Sequence, residues 1–307
     1  MKKYLVKIIL FFIAIAVVDV LFGKACQYMN NHSKGGGVKG RYYVCKESNE
    51  DVLIFGSSRA KHHYVPDIIE DSLKLTCYNT GEEGNGIILC YGFLKMITNR
   101  YTPKLIIYDV TDVFDLWESD NAKFLDLLKP YYYEPGIDSI FWSVKPQTRF
   151  MMLSELYRFN TTCVRIFGNF IKPVSNTSKG YSPLHKTMDY EPEIKDEQGK
   201  IDSVKVEYFK KFIILAKSQK IPLICFVSPV YKAPTDGAKF AYIINLCEKY
   251  DIPFYYYAAD INISNNQYYF KDRVHLNDKG ARFYTTKILP LIKTQISNTG
   301  NEMSESK

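Results

Sequence analysis

"DVLIFGSSRAKHHY" (residues 51–64) begins as an unbroken apolar run and ends abruptly at one Gly and two Ser. Val52 to Phe55 read as a strand buried on both faces, the pattern of a parallel sheet covered by helices. In such sheets ligands gather beyond the carboxyl ends of the strands. A Gly at that place lets the backbone turn tightly and present the next side chain, here Ser57 or Ser58. A turn with a serine helix cap accounts for the same letters. The stretch therefore speaks for the fold and leaves the chemistry open.

Outward from it, strand and helix signals alternate: a helix near 66–73, a strand near 74–78, a helix over 86–99 and a strand over 104–110. Pro66 suits the first turn of its helix, and Pro103 the entry to its strand. Between about 114 and 200 the pattern loosens, and the polar stretch 175–200 has almost no apolar period, so 114–200 reads as a variable insertion, by default a solvated excursion. Alternation returns as a helix over 203–219, the strand "PLICFVS" (222–228), a helix over 236–250, a strand over 253–257 and a last helix from about 278 to 296. This predicts an α/β fold, a three-layer α/β/α sandwich around a parallel sheet of about five strands. The principal domain is expected over 50–297, with a disordered tail over 298–307.

The amino terminus departs from a soluble pattern. Lys2, Lys3 and Lys7 precede "IILFFIAIAVV" (8–18), which Asp19 interrupts before Val20, Leu21 and Phe22. Residues 1–25 are thus a signal anchor or a signal peptide; Gly23 and Ala25 supply small residues ahead of a cut before Cys26. The uncleaved anchor is the expectation, with the amino terminus inside and the bulk of the chain outside the cytoplasm. The Gly-rich "NNHSKGGGVKG" (30–40) reads as a flexible tether within 26–49.

Hydrophobic residues at 46% and charged ones at 24% describe a globular chain rather than a disordered one. The net charge of +7 is not concentrated in any Lys/Arg block, so nucleic acid is not indicated as a partner. Twenty-five Tyr suit sheet and core packing, or the floor of a carbohydrate groove. The seven Cys include no CxxC or Cys/His spacing, so no metal is expected; Cys77, Cys90, Cys225 and Cys247 lie in apolar segments and read as packed thiols, although an exported protein can pair some of them, and no specific disulfide is expected.

Near the other end of the domain, "YYFKDRVHLNDKGARFYT" (268–285) places Asp272 three residues before His275. A carboxylate so close can accept the Nδ1 proton of the imidazole and leave Nε2 free as a base. If this loop faces the crevice that holds Ser58, the three residues make a nucleophile, a base and its orienting carboxylate.

"FGSSRA" and "DRVHLNDKGA" together resemble the SGNH hydrolases, the GDSL esterase/lipase superfamily, over most of residues 50–297. The resemblance implies a flavodoxin-like fold, Ser58 as nucleophile, and Asp272 and His275 completing the triad, with no cofactor. "YNTGEEGNG" (78–86) is similar to the second block of the family through Asn79, Gly81 and Gly84. The Gly84 and Ser58 amides are then the expected oxyanion donors. In the third block the family's Asn is missing: "IIYDVTDVFD" (106–115) has Thr111 in its place, a candidate third donor. Arg59, His63 and Asn85 are candidate substrate contacts, with Arg59 or Asn85 able to stand in as donor. The α/β-hydrolase elbow Gly-x-Ser-x-Gly fits less well, because "GSSRA" ends in Ala60 and opens the domain.

What the resemblance and the anchor imply together is an exported, membrane-tethered serine esterase or O-acyltransferase acting on acyl esters, acetyl foremost, of a bacterial cell-envelope glycan. For transfer, a membrane protein that donates the acyl group is the expected partner. The other reading is a weakened SGNH-like domain that binds envelope polysaccharide without turnover.

Overall fold

The computed structural model describes residues 1–172, 177–193 and 199–305, with side chains as far as 297. Parts of the polar stretch 175–200 and the last two residues of the expected tail lie outside the described residues. The chain forms two compact units: residues 1–47 with 121–175, and residues 48–120 with 176–307.

The larger unit is built on five parallel strands: β1 (Val52–Gly56), β2 (Cys77–Asn79), β3 (Leu105–Asp109), β4 (Leu223–Val227) and β5 (Phe254–Tyr256). Their order is β2-β1-β3-β4-β5, the flavodoxin-like order. Every residue of β1, β3 and β4 is buried, which explains why their sequences are unbroken apolar runs instead of alternating ones.

Successive side chains feed the two faces in turn. Val52, Ile54, Leu105, Ile107, Ile224 and Phe226 pack with Tyr64, Tyr284, Ile288 and Ile292 on one side. Phe55 and Tyr108 meet Phe212 and Phe209 of the helix Ser203–Ser218 edge-on, at ring separations of 5.2–5.4 Å, on the other. Helices therefore cover both faces, and the three layers expected from the alternation are present. All seven Cys are free thiols, and Cys77, Cys90, Cys225 and Cys247 are buried. The last helix, Asp278–Glu305, passes Ser297 and continues through most of the segment expected as a disordered tail.

The smaller unit starts with the helix Lys2–Asn31, whose apolar first part is long enough to cross a membrane. Asp19, the acid that interrupts this run, has a local structural use. Its carboxylate accepts the Ser154 hydroxyl at 2.9 Å and the Glu155 and Leu156 amides at 2.8 Å each, capping the helix Glu155–Phe159. The stretch expected as a flexible tether is largely helical: Lys2–Asn31 extends into it and a second helix covers Gly36–Tyr42. Asn169 fixes its start by accepting the Val38 amide at 3.1 Å, and Val38 packs with Cys26, Phe159 and Ile166. The partner of the Gly-rich segment comes from 131 residues away, so local composition had no means of announcing it.

β1 ends on Gly56 at φ 140°, with its Cα so close to β3 that a Cβ would sit 2.7 Å from the Asp109 carbonyl oxygen. A side chain meets both the disfavoured backbone region and a backbone clash. Gly56→Ala is expected to cost roughly 2 kcal/mol or more of stability, read as a lower urea midpoint for the full chain. An unchanged midpoint would show that the turn relaxes without Gly.

Candidate active site

Ser57 and Ser58 divide the two uses of serine between them. Ser57 is the cap of the short helix Ser58–His63, its hydroxyl accepting the Arg59 amide at 3.3 Å. Ser58 opens that helix at the carboxyl end of β1. In the order 2-1-3-4-5 the connections reverse direction between β1 and β3, so Ser58 stands at the switch point where such sheets bind ligands.

The loop before the last helix reaches the same place. His275 Nε2 lies 2.8 Å from Ser58 Oγ, and both Asp272 carboxylate oxygens lie 3.0 Å from His275 Nδ1. With the carboxylate accepting the Nδ1 proton, Nε2 is the bare nitrogen and accepts the Ser58 hydroxyl. Burial works to raise the Asp272 carboxyl, but the His275 ring and the Val274 and His275 amides donate to it and hold it below its ordinary value. A base, its orienting carboxylate and a hydroxyl are thus joined in one line, the arrangement that activates a serine.

A second, fully buried line holds the first in place. His63 Nε2 accepts the Leu276 amide at 2.9 Å, next to His275, so its other nitrogen carries the proton and donates to Ser228 Oγ at 2.8 Å. Ser228 in turn donates to Asp109 Oδ2 at 3.1 Å. Asp109 also accepts the Ser228 amide at 2.9 Å and the Tyr64 hydroxyl at 2.8 Å, while Arg59 Nε lies 3.4 Å away. Burial pushes the Asp109 carboxyl up, opposed by Arg59 and these hydroxyls. Desolvation, followed by the nearby Arg59 charge, holds His63 well below the ordinary histidine range, and its ring stays neutral.

These contacts correct two expectations. Arg59 is no substrate contact or oxyanion donor, because its guanidinium is buried on Ser228, the Val110 and Ser228 carbonyls and Asp109. His63 has no exposed surface, and its Nε2 is taken by the amide that follows His275. His62 also stands at the site, with Nδ1 donating to the Ser182 carbonyl at 2.6 Å, Nε2 2.8 Å from Glu83, and its ring edge-on to His275 at 5.5 Å.

Thr111 likewise departs from its expected role. Its amide and hydroxyl both donate to Asp115, at 2.7 and 3.2 Å, so the hydroxyl is already engaged. Asp115 also accepts the Ile87 amide and the Tyr108 hydroxyl, at 2.8 Å each, tying the start of the helix Ile87–Thr98 to the segment after β3. Burial pushes Asp115 up to about 6. Asn85 turns back to donate to the Glu83 carbonyl at 2.7 Å.

The Gly84 loop is fastened to β1 by the Glu82 amide on the Gly56 carbonyl, at 3.2 Å. Gly84 sits at φ 63°, and among the described residues neither its amide nor that of Ser58 meets an acceptor. Asn79 secures the segment after Ser58 by donating to the Ala60 and Tyr64 carbonyls at 2.7 and 3.0 Å. Ser228 and Asp115 are the residues that sequence reading passed over. Ser228 follows a buried strand as Ser58 does, a polar residue at a strand's carboxyl end, and that position was a usable signal. Asp115 carried none.

No family model and no curated protein matches this chain. Among solved structures it is similar to a Bacteroides fragilis protein described as a "putative acylhydrolase", with 16% identity over 83% of this chain and 89% of that one, at a TM-score of 0.35.

The buried neutral state of His63 sets a pH dependence. The unfolded ring takes a proton near pH 6.5 and the folded ring does not, so this stabilisation is complete above that pH. Below it, stability falls by about 1.4 kcal/mol per pH unit. His63→Gln is therefore expected to be less stable than the unsubstituted chain at pH 7.5, with the gap narrowing by pH 5.5 in urea unfolding. A constant gap would mean that the folded ring accepts the proton.

Proposed function

We propose that this chain is a membrane-tethered serine esterase or O-acyltransferase of SGNH type, acting on acyl esters, acetyl foremost, of a cell-envelope glycan. The observation that carries the reading is the hydrogen-bonded line from Asp272 through His275 to Ser58 at the switch point of the sheet. Ser58 Oγ attacks the acyl carbonyl while His275 Nε2 takes its proton, and Asp272 stabilises the imidazolium. The carbonyl oxygen gathers negative charge opposite the amides of Ser58 and Gly84. As the tetrahedral intermediate collapses, His275 returns the proton to the departing alkoxide and an acyl-Ser58 ester remains. A water or a sugar hydroxyl then attacks that ester, losing its proton to His275. As the second tetrahedral intermediate collapses, the bond to Ser58 Oγ breaks and His275 returns the proton to Ser58, releasing the free acid or the transferred ester.

The tethering half of the reading is supported by the apolar helix Lys2–Asn31. It runs unbroken through Gly23–Cys26, and residues ahead of a cut before Cys26 contribute to the unit: Phe22 packs against its core and Asp19 caps the helix Glu155–Phe159. In this reading the amino terminus is cytoplasmic and the larger unit faces the envelope. Transfer in place of hydrolysis calls for a membrane protein that supplies the acyl group.

One observation favours the second reading, a glycan-binding domain without turnover: Thr111, at the position of the family's third donor, is committed to Asp115. Labelling of the full chain with a fluorophosphonate separates the two. The catalytic reading expects labelling that Ser58→Ala abolishes and that His275→Ala lowers by on the order of 10⁶-fold. No labelling of a folded chain would select the binding reading.

The hydroxyl of Thr111 is testable in the same assay. Thr111→Val is expected to change the labelling rate by less than about threefold, whereas loss of a working oxyanion donor costs roughly 10²–10³. A loss of the larger size would return Thr111 to the oxyanion hole.

A further inference from the structure

A cavity of about 370 Å³ opens at the carboxyl edge of the sheet beside β5, away from Ser58, and the mechanism above makes no use of it. Its lining includes Trp117, Tyr242, Tyr256, Lys239 and Asp236. The walls are tied together within the unit. Trp117 pairs with Ile201 in an antiparallel bridge, and the Glu118 amide donates to the Lys200 carbonyl at 2.8 Å. Tyr256 donates to the Pro234 carbonyl at 2.6 Å, and its ring lies against Gly237. A site whose walls are fixed in advance loses little freedom on binding.

The charges on this lining are already matched. Lys239 donates to Asp112, and Asp236 accepts the Ala238 amide at 3.3 Å. One cation paired with a carboxylate, beside a second carboxylate, makes a poor anion site. Two polar groups remain open. Among the described residues, the Trp117 indole N–H and the Tyr242 hydroxyl meet no partner, and Tyr242 is 57% exposed. Lys239 lies over the Trp117 ring, 5.7 Å from its centre, and Gly199 packs against that ring, so Tyr242 and Tyr256 supply the open aromatic surface. Such surface edged by unused donors, without net positive charge, suits a neutral ligand with a flat C–H face and a rim of hydroxyls.

We infer that this cavity binds a neutral sugar ring of an oligosaccharide. Tyr256 ends β5 and Ser58 follows β1, three strand spacings away in the order β1-β3-β4-β5, or roughly 14 Å. One sugar does not cover that distance. If the proposed acyl chemistry at Ser58 holds, the ring in the cavity and the ester at Ser58 belong to the same oligomer. That last step rests on the function proposed above; the sugar site itself does not.

The test uses the full chain in a detergent without a sugar headgroup. Trp142→Phe leaves Trp117 as the only indole, since the chain has two Trp. Titration with cellotetraose and chitotetraose is expected to give a saturable change in Trp117 emission with at least one of them, and Ser58→Ala is expected to retain it. Tyr242→Ala, at an exposed position that does not hold the fold, is expected to weaken binding roughly tenfold, with calorimetry on chains that keep Trp142 as the independent measure. No saturable signal from either tetramer, or equal affinity in Tyr242→Ala, overturns the inference, as does tighter binding of tetragalacturonate. Binding retained alongside absent fluorophosphonate labelling would remove the catalytic reading and leave the sugar site standing.

Discussion

The hydrogen bond from the Leu276 amide to His63 Nε2 is the constraint on which the site depends. It joins the loop before the last helix to the helix after β1, across 213 residues of sequence. His275 precedes Leu276 and Ser58 lies five residues before His63, so this bond brings the His275 imidazole to the Ser58 hydroxyl. It holds only with a neutral ring, and burial keeps the ring neutral. Thr285 adds a second tie, accepting the Val65 amide and donating to the His63 carbonyl at 3.1 Å each.

Behind His63 stands a set of polar groups that would be costly to bury one by one. Asp109, Arg59, Ser228 and Tyr64 are each at least nine-tenths buried, yet each is hydrogen-bonded to another member. Removing one partner from such a set leaves a desolvated charge or donor behind. That accounts for the geometry at the strand ends: β1, β3 and β4 each finish beside a residue of this set. The same logic explains Thr111, whose hydroxyl donates to the buried Asp115 carboxylate.

In the smaller unit the same rule produces a different result. Asp19 looks like a flaw in an apolar helix, but it caps the helix Glu155–Phe159. Gly36 and its neighbours look like a flexible linker, but Asn169 holds them in a helix. In both cases a polar or small residue is explained by a partner more than 100 residues away. Local composition carries no record of such a partner.

The sequence by itself determined the elements with a strong local signature. The strands of unbroken apolar residues, the turn at Gly56, the Asp272–His275 spacing and the apolar amino-terminal helix were all legible, because burial and backbone geometry dictate residue type over short windows. Only the tertiary structure decided what the neighbouring polar residues do. Arg59, His63, Thr111 and Asn85 carry suitable groups for contacting a ligand, and each is instead committed to a protein partner. A hydrogen bond is satisfied by whichever group the fold brings within reach, and for all but Asn85 and Thr111 that group comes from a distant strand or loop.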